Sequence, residues 1–285
     1  MSDLELAYRH CEEITRAEAR NFFYGIRLLP HDKRDAMSAL YAFARRVDDI
    51  GDGSEPSEDK LIALARTRQE IEKVASGNPP AGDPVLIALA DVIDKYAMPT
   101  EALGELVAGC EMDCRDTRYE TFEDLAVYCR CVAGSIGRLS VSIFGSNDDD
   151  VAPSLADTLG IALQITNILR DIVEDREQMG RVYLPAEDLA RFGCAPDAAG
   201  PLDALCDLVH FEAGRARGHY REGLRLLELL DRRSRACVSA MSGIYARLLD
   251  RIEKNPIAVL DHRVSLPTWE KAWVAAVSLA GSSVG

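Results

Sequence analysis

The chain has 285 residues, 47% hydrophobic and 28% charged, with 47 acidic against 33 basic side chains and a formal net charge of -14. That apolar content is enough for a sizeable core, while the negative balance argues against nucleic-acid binding and against loose adhesion to anionic membranes. No run reaches the roughly 18–20 apolar residues of a membrane-spanning helix.

The N-terminal MSDLELAYRHCEE has neither the basic nor the apolar region of a signal peptide, so the cytoplasm is the expected location. Apolar residues recurring at spacings of three and four predict helices over 3–20, 32–50, 57–76, 83–97, 100–113, 121–145, 152–178, 202–229 and 232–253. Breakers separate them at Leu29-Pro30, Gly51 to Pro56, Gly77 to Pro80, Met98-Pro99, Gly145 to Asp150 and Gly193 to Pro201. Thr100 and Ser154 read as helix caps. Arg181 to Pro185 reads as an extended loop closed by proline, and Asp148 to Asp150 as a solvated loop, because three consecutive carboxylates cannot converge on one face. With no repeat and no interdomain tether, the expectation is one all-α domain spanning 1–285, of about ten helices.

Two of these helices carry matching polar stripes. Tyr41, Arg45, Asp48 and Asp52 fall at i, i+4, i+7 and i+11; Gln164, Asn167, Asp171 and Asp175 fall at i, i+3, i+7 and i+11. Each set lies along one helix face, with its two Asp one turn apart. Facing each other, two such helices would form an oxygen-rich cleft for a hard divalent cation and a ligand bearing phosphate. The spacing alone is weak: roughly two or three DxxxD pairs arise by chance at this Asp content, and Asp203 with Asp207 is a third. Context separates the first two. LGIALQITNIL, from Leu159 to Leu169, is apolar except for the stripe, and polar groups in such a helix are costly unless paired, hydrated or coordinated. Gln164 and Asn167 could instead be a hydrogen-bonded core pair, and Arg45 with Asp48 a plain i, i+3 ion pair. Asp49 points about 100° away from Asp48 and is a weaker ligand. Arg170, Arg176, Arg181 and Tyr183 add cationic and phenolic donors beside the acids, which suits a metal–diphosphate ligand better than a bare cation.

The eight Cys form no zinc-like set: there is no CxxC, Cys110 and Cys114 are one turn apart, and Cys129 and Cys131 diverge on a helix. They read as small buried hydrophobes.

Three blocks resemble the squalene/phytoene synthase family: ARNFFYGIRLLPHDKRDAMSALYAFARRVDDIGD from Ala19 to Asp52, YCRCVAGSIG from Tyr128 to Gly137, and LGIALQITNILRDIVEDREQMGRVYLP from Leu159 to Pro185. Within the family the chain looks most like bacterial presqualene diphosphate synthases of hopanoid pathways, with phytoene synthases close behind. The resemblance implies an isoprenoid-synthase fold around a central cavity. It implies a prenyltransferase that condenses two farnesyl diphosphates head to head (1'-1) into presqualene diphosphate. By the same match Asp48, Asp52, Asn167, Asp171 and Asp175 hold Mg²⁺, with Mn²⁺ as an alternative, and Asp113 in EMDCRDTRY supports the cluster. Gln164 lines the cavity, while Tyr41, Arg45, Arg170, Arg181, Tyr183 and Tyr245 contact diphosphate. Phe22 and Tyr128 face the prenyl chains. One departure stands out: where the family often has Ser-x-Ser or Ser-x-Asn, this chain has Ala19-Arg20-Asn21, leaving Asn21 as the donor.

The expected chemistry ionises one allylic diphosphate and shields the cation in an apolar, aromatic-edged pocket, for which Phe22, Phe23, Tyr24, Phe43 and Tyr245 are candidates. No His base is needed, and NADPH is not expected. The rivals within the class are phytoene synthesis from two geranylgeranyl diphosphates and squalene or dehydrosqualene synthesis. Outside it, a non-catalytic scaffold would have lost an Asp, and a class I terpene cyclase would pair one Asp-rich motif with an NSE-type triad. The remaining expectations are a monomer or weak dimer, no nucleic-acid partner, and transient contact of a long apolar product's maker with the inner membrane surface.

Overall fold

A computed structural model describes residues 2–19 and 21–281. Every one of the nine periodic segments forms a helix, and the described residues contain no strand. The N-terminal helix α1 (Asp3–Glu18) is closed by a reciprocal cap: Ser2 Oγ accepts from Glu5 N–H at 3.3 Å, and Ser2 N–H donates to Glu5 Oε2 at 2.7 Å. Short α2 (Phe22–Ile26) precedes the long α3 (His31–Asp52), and then come α4 (Ser57–Ala75), α5 (Pro84–Tyr96) and α6 (Thr100–Cys114). The 121–145 segment is α7 (Phe122–Cys129) and α8 (Ser135–Phe144) joined through a π turn over Arg130–Gly134. The second stripe lies on α9 (Ala152–Glu174), which continues into a π turn over Asp175–Met179. After α10 (Ala186–Arg191) come α11 (Leu202–Gly223), which runs on through a 3₁₀ turn, α12 (Arg232–Lys254), α13 (Pro256–Asp261) and α14 (Thr268–Ala280).

The sequence expectation missed α2, α10, α13 and α14. The first three span 5 or 6 residues each, too short for a period to show. The caps also differ. Thr100 is already the first residue of α6, behind Pro99, and Ser154 lies inside α9, whose first turn holds Pro153. In α9 Pro153 has no N–H and leaves one fewer unpaired donor in the first turn, while α6 begins behind Pro99 with no side-chain cap.

Helix α9 runs through the middle, touching α7, α8, α11, α12 and α13, while α3 packs on α1, α4, α5, α6 and α8. Small residues permit this crowding. A Cβ on Gly160 would lie 2.6 Å from the backbone N of Gly134, and one on Gly223 2.6 Å from the backbone N of Leu159. So α9 meets the 130–134 turn on one side and α11 on another at backbone contact. On α3, Leu40, Phe43 and Val47 are buried in the core, each such side chain contributing roughly 1.5–3 kcal/mol. Seven of the eight Cys are buried, as small apolar side chains are; Cys206 is half-buried. Among the described residues no helix is long and apolar enough to cross a membrane.

Candidate active site

A cavity of about 460 Å³ opens between α3, α6, the α7–α8 unit, α9 and α12. Both stripes line it in full: Tyr41, Arg45, Asp48 and Asp52 on α3, and Gln164, Asn167, Asp171 and Asp175 on α9 and its π turn. Phe22, Asp113, Tyr128, Arg170, Arg181 and Tyr183 join them, and the remainder of the wall is largely apolar, including Leu40, Ile136, Phe144, Leu163 and Met241. One end is therefore acidic and basic together, the other hydrocarbon.

The ion pairs run differently from their sequence reading. Arg45 pairs with Asp49 at 2.6 Å, not with Asp48. Asp48 is open to the cavity but enclosed by protein, with Cys110 Sγ 3.9 Å from its Oδ1. Burial, and then the charge of Asp52, push its carboxyl up to about 7. Asp52 accepts from Arg181 Nη1 at 2.8 Å, and Arg181 Nη2 donates to the Gly51 carbonyl at 2.9 Å, so the loop after α9 is tied across to the end of α3. On α9, Arg170 Nε donates to Asp171 Oδ1 at 2.8 Å in a two-pronged pair. Asp175 is pushed up to about 7 by burial and by Asp171. Gln164 and Asn167 do share a bond, long at 3.4 Å, and they do so within the cavity wall; Asn167 Oδ1 is buried without a partner.

Asp113, on α6, accepts from both phenols: Tyr183 Oη at 2.8 Å and Tyr128 Oη at 3.1 Å. Burial raises its carboxyl to about 6, with Arg181 opposing. As placed, it orients two tyrosines behind the acidic pairs. Tyr128 and Tyr183 stack at 5.1 Å, and both lie near the Tyr119 ring. The segment bearing Arg181 and Tyr183 is fixed beyond its end, where Ala186 N–H donates to the Tyr119 carbonyl at 2.9 Å and buried Asp188 accepts from Arg215.

Several expected residues stand elsewhere. Tyr245 is buried one layer back, its ring 5.9 Å from Phe22, and is not in the wall. Asn21 is also outside the wall, with Oδ1 buried and unpartnered; neighbouring Arg20 lies outside the described residues. Phe43 is core, and Phe23 sits beneath Arg27 at 5.4 Å; neither they nor Tyr24 reach the cavity. Arg176 is turned away toward the Ala198 carbonyl, because the π turn shifts the register after Asp175. Missed from the sequence were Glu174 and Arg263. Arg263 enters from the link between α13 and α14, placing Nε 3.1 Å from Asp171 and Nη1 3.3 Å from Glu174. No local pattern announces it, since it lies in a loop far along the chain from the stripe it meets.

Among the described residues no three His, Cys, Asp or Glu groups form a ready-made metal cluster. What the cavity offers is oxygen: three raised carboxyls, Asp48, Asp113 and Asp175, and the orphaned Asn167 Oδ1, beside Asp52 and Asp171. Hard cations take such donors and fill the remaining positions with water or ligand phosphate. The residues present therefore fit a divalent cation shared with a bound diphosphate.

Residues 15–270 match the family model for squalene/phytoene synthase. A Mycobacterium tuberculosis protein named phytoene synthase is 46% identical, the alignment covering 99% of this chain and 93% of the relative. Among solved structures, a dehydrosqualene synthase in complex with ligand superposes with a TM-score of 0.88 at 28% identity, over 98% of this chain and 97% of that one. The squalene synthase HpnC from Alicyclobacillus acidocaldarius does so at 0.81 and 30% identity, over 89% and 95%.

Proposed function

Since the chain belongs to the squalene/phytoene synthase family and has that family's isoprenoid-synthase fold, we propose that this prenyltransferase joins two farnesyl diphosphates into presqualene diphosphate. The observation that carries the head-to-head chemistry is the convergence of both Asp stripes and four arginines, Arg45, Arg170, Arg181 and Arg263, on the polar end of one otherwise apolar cavity. Asp48, Asp52, Asn167, Asp171 and Asp175 would hold Mg²⁺, or Mn²⁺ in its place. The cation supplies charge neutralisation for the departing diphosphate.

The chain's own residues do the rest. Arg45, Arg170 and Arg181 bind phosphate oxygens, and Arg170 and Arg181 stay cationic because carboxylates beside them outweigh the effect of burial. Tyr41, pushed up to about 12 chiefly by burial, stays a neutral donor. The allylic C–O bond breaks with its electron pair going to diphosphate. The double bond of the second substrate attacks the freed carbon, and a proton passes to a diphosphate oxygen as the cyclopropane closes. Phe22, Leu40, Ile136 and Leu163 exclude water from the cation, as its lifetime demands. No reductant is consumed, so NADPH has no role in this reading.

Substrate length is the finer part of the proposal. The C15 reading is supported by likeness to dehydrosqualene and squalene synthases over most of the chain. A second reading, phytoene from two C20 diphosphates, has the higher identity behind it in relatives named phytoene synthase. Incubation with each diphosphate and Mg²⁺, with and without NADPH, followed by mass spectrometry, decides. A C30 cyclopropyl diphosphate that persists with NADPH supports the first; phytoene from the C20 substrate overturns it. Phytoene is a hydrocarbon and presqualene diphosphate an amphiphile with a long apolar body, and contact with a membrane surface belongs to the same proposal.

A further inference from the structure

The chain has two tryptophans, and both lie on α14. Trp269 is 70% exposed and Trp273 47%. One turn apart, they stand side by side. The outward face they share continues through Thr268, Ala272, Ala276 and Ala280, all exposed and none charged. A 13-residue helix with a charge-free exposed face is unusual in a chain where 28% of residues are charged. The opposite face is firmly docked: Val274, Ala275 and Ser278 are buried, and α14 packs on α12 and α2. Its single acid, Glu270, is turned inward and paired with Arg247 and Arg251. Arg247 also lies 4.7 Å over the Trp273 ring, fixing that indole on the surface.

The size and chemistry of the face select what covers it. Thirteen residues make a helix about 20 Å long and about 10 Å wide, so the face offers on the order of 200 Å². A stable protein complex buries roughly 800 Å² per partner, which leaves a second copy without enough surface here. Indoles on an uncharged face suit the boundary between headgroups and acyl chains, where one side of the ring is wet and the other is not. The net charge of -14 restricts the choice to membranes of low negative charge.

We infer that the outer face of α14, centred on Trp269 and Trp273, docks this protein on the surface of a weakly charged lipid bilayer. The site is fixed by α14 alone; its purpose rests on the proposed product, whose body is a long hydrocarbon. The helices beneath, α2 and α12, contribute Phe22, Ile26, Val238 and Met241 to the cavity wall. One helix layer, about 10 Å, then separates the bilayer from the hydrocarbon end of the cavity.

Because both tryptophans sit on this face, the tryptophan emission of the intact protein, excited where tyrosine does not absorb, reports it alone. With phosphatidylcholine vesicles and no prenyl substrate, emission shifts to the blue and phosphatidylcholine with brominated acyl chains quenches it. In vesicle flotation, Trp269→Ala with Trp273→Ala lowers partition roughly ten-fold or more, with far-UV circular dichroism and turnover in detergent unchanged. Adding phosphatidylglycerol weakens binding. The inference is overturned by absence of shift and flotation, by binding that requires phosphatidylglycerol, or by a blue shift that grows with protein concentration in lipid-free buffer, the mark of a second copy. Should the double variant misfold, the fluorescence of the unaltered protein still decides. Vesicle binding is read without catalysis, so failure of the proposed reaction leaves this result standing, and the reverse.

Discussion

On α3 the first acid of the pair, Asp48, forms no ion pair among the described residues, while the second, Asp52, is held by Arg181. On α9 the order is reversed: Asp171 is clamped between Arg170 and Arg263, and Asp175 is left to burial and to its neighbour's charge. The two helices share a spacing and differ in their electrostatics, because the compensating guanidinium groups are set by tertiary contact. Each wall keeps one acid satisfied and one raised to about 7. On the proposed reading, a cation entering between them would meet a raised carboxyl on either side.

The strongest way to break this pairing is to remove the charge from either wall. Asp48→Asn and Asp171→Asn are each expected to lower turnover at least about 10³-fold with the helical circular dichroism signal intact, and a near-normal rate in either would remove the two-wall reading. Next comes the tie across the cleft. Arg181→Met should cost about 10²-fold in kcat/KM, more than Arg263→Met, because Arg181 both binds and joins the walls; equal losses would mean that the tie contributes nothing.

A third measurement sharpens the comparison through pH. Asp48 and Asp175 bind protons more tightly in the native state than at the ordinary carboxyl value of 3.8. Their contribution to stability is therefore complete below about pH 4 and is lost as pH rises through about 7. Ion-free protein should show a fall in Tm between about pH 4 and 7 that is flatter in Asp48→Asn, and Mg²⁺ should recover part of it above about pH 7. An unchanged slope in the variant would show that Asp48 is not held in a raised state. The smallest effect is expected of Tyr183→Phe, about ten-fold in kcat, through loss of its bond to Asp113.

Much of this was legible beforehand. The long helices announce themselves by period, and the two stripes by polar residues set into apolar runs such as Leu159 to Leu169. Legibility failed where structure is short or contacts are distant. Helices α2, α10 and α13 are under two turns, and Arg263 reaches Asp171 from a loop that no spacing rule connects to α9. Aromatic residues were least readable: of Phe22, Phe23, Tyr24, Phe43 and Tyr245, the cavity takes Phe22 alone, since neighbours on a helix point about 100° apart and an aromatic suits wall and core equally.

The glycine contacts of α9 bear on what this scaffold can vary. With Gly160 against Gly134 and Gly223 against Leu159, main chain rests on main chain, and no side chain acts as a spacer. These contacts fix where α9, and with it Gln164, Asn167 and Asp171, stands against the 130–134 turn and α11. On the proposed reading, a substitution at Phe144 or Met241, in the apolar part of the wall, should change the accepted chain length and leave both Asp stripes in place. On the same reading, backbone contact holds the helix that meets the substrate's head while side chains meet its tail, and the two would be retuned separately.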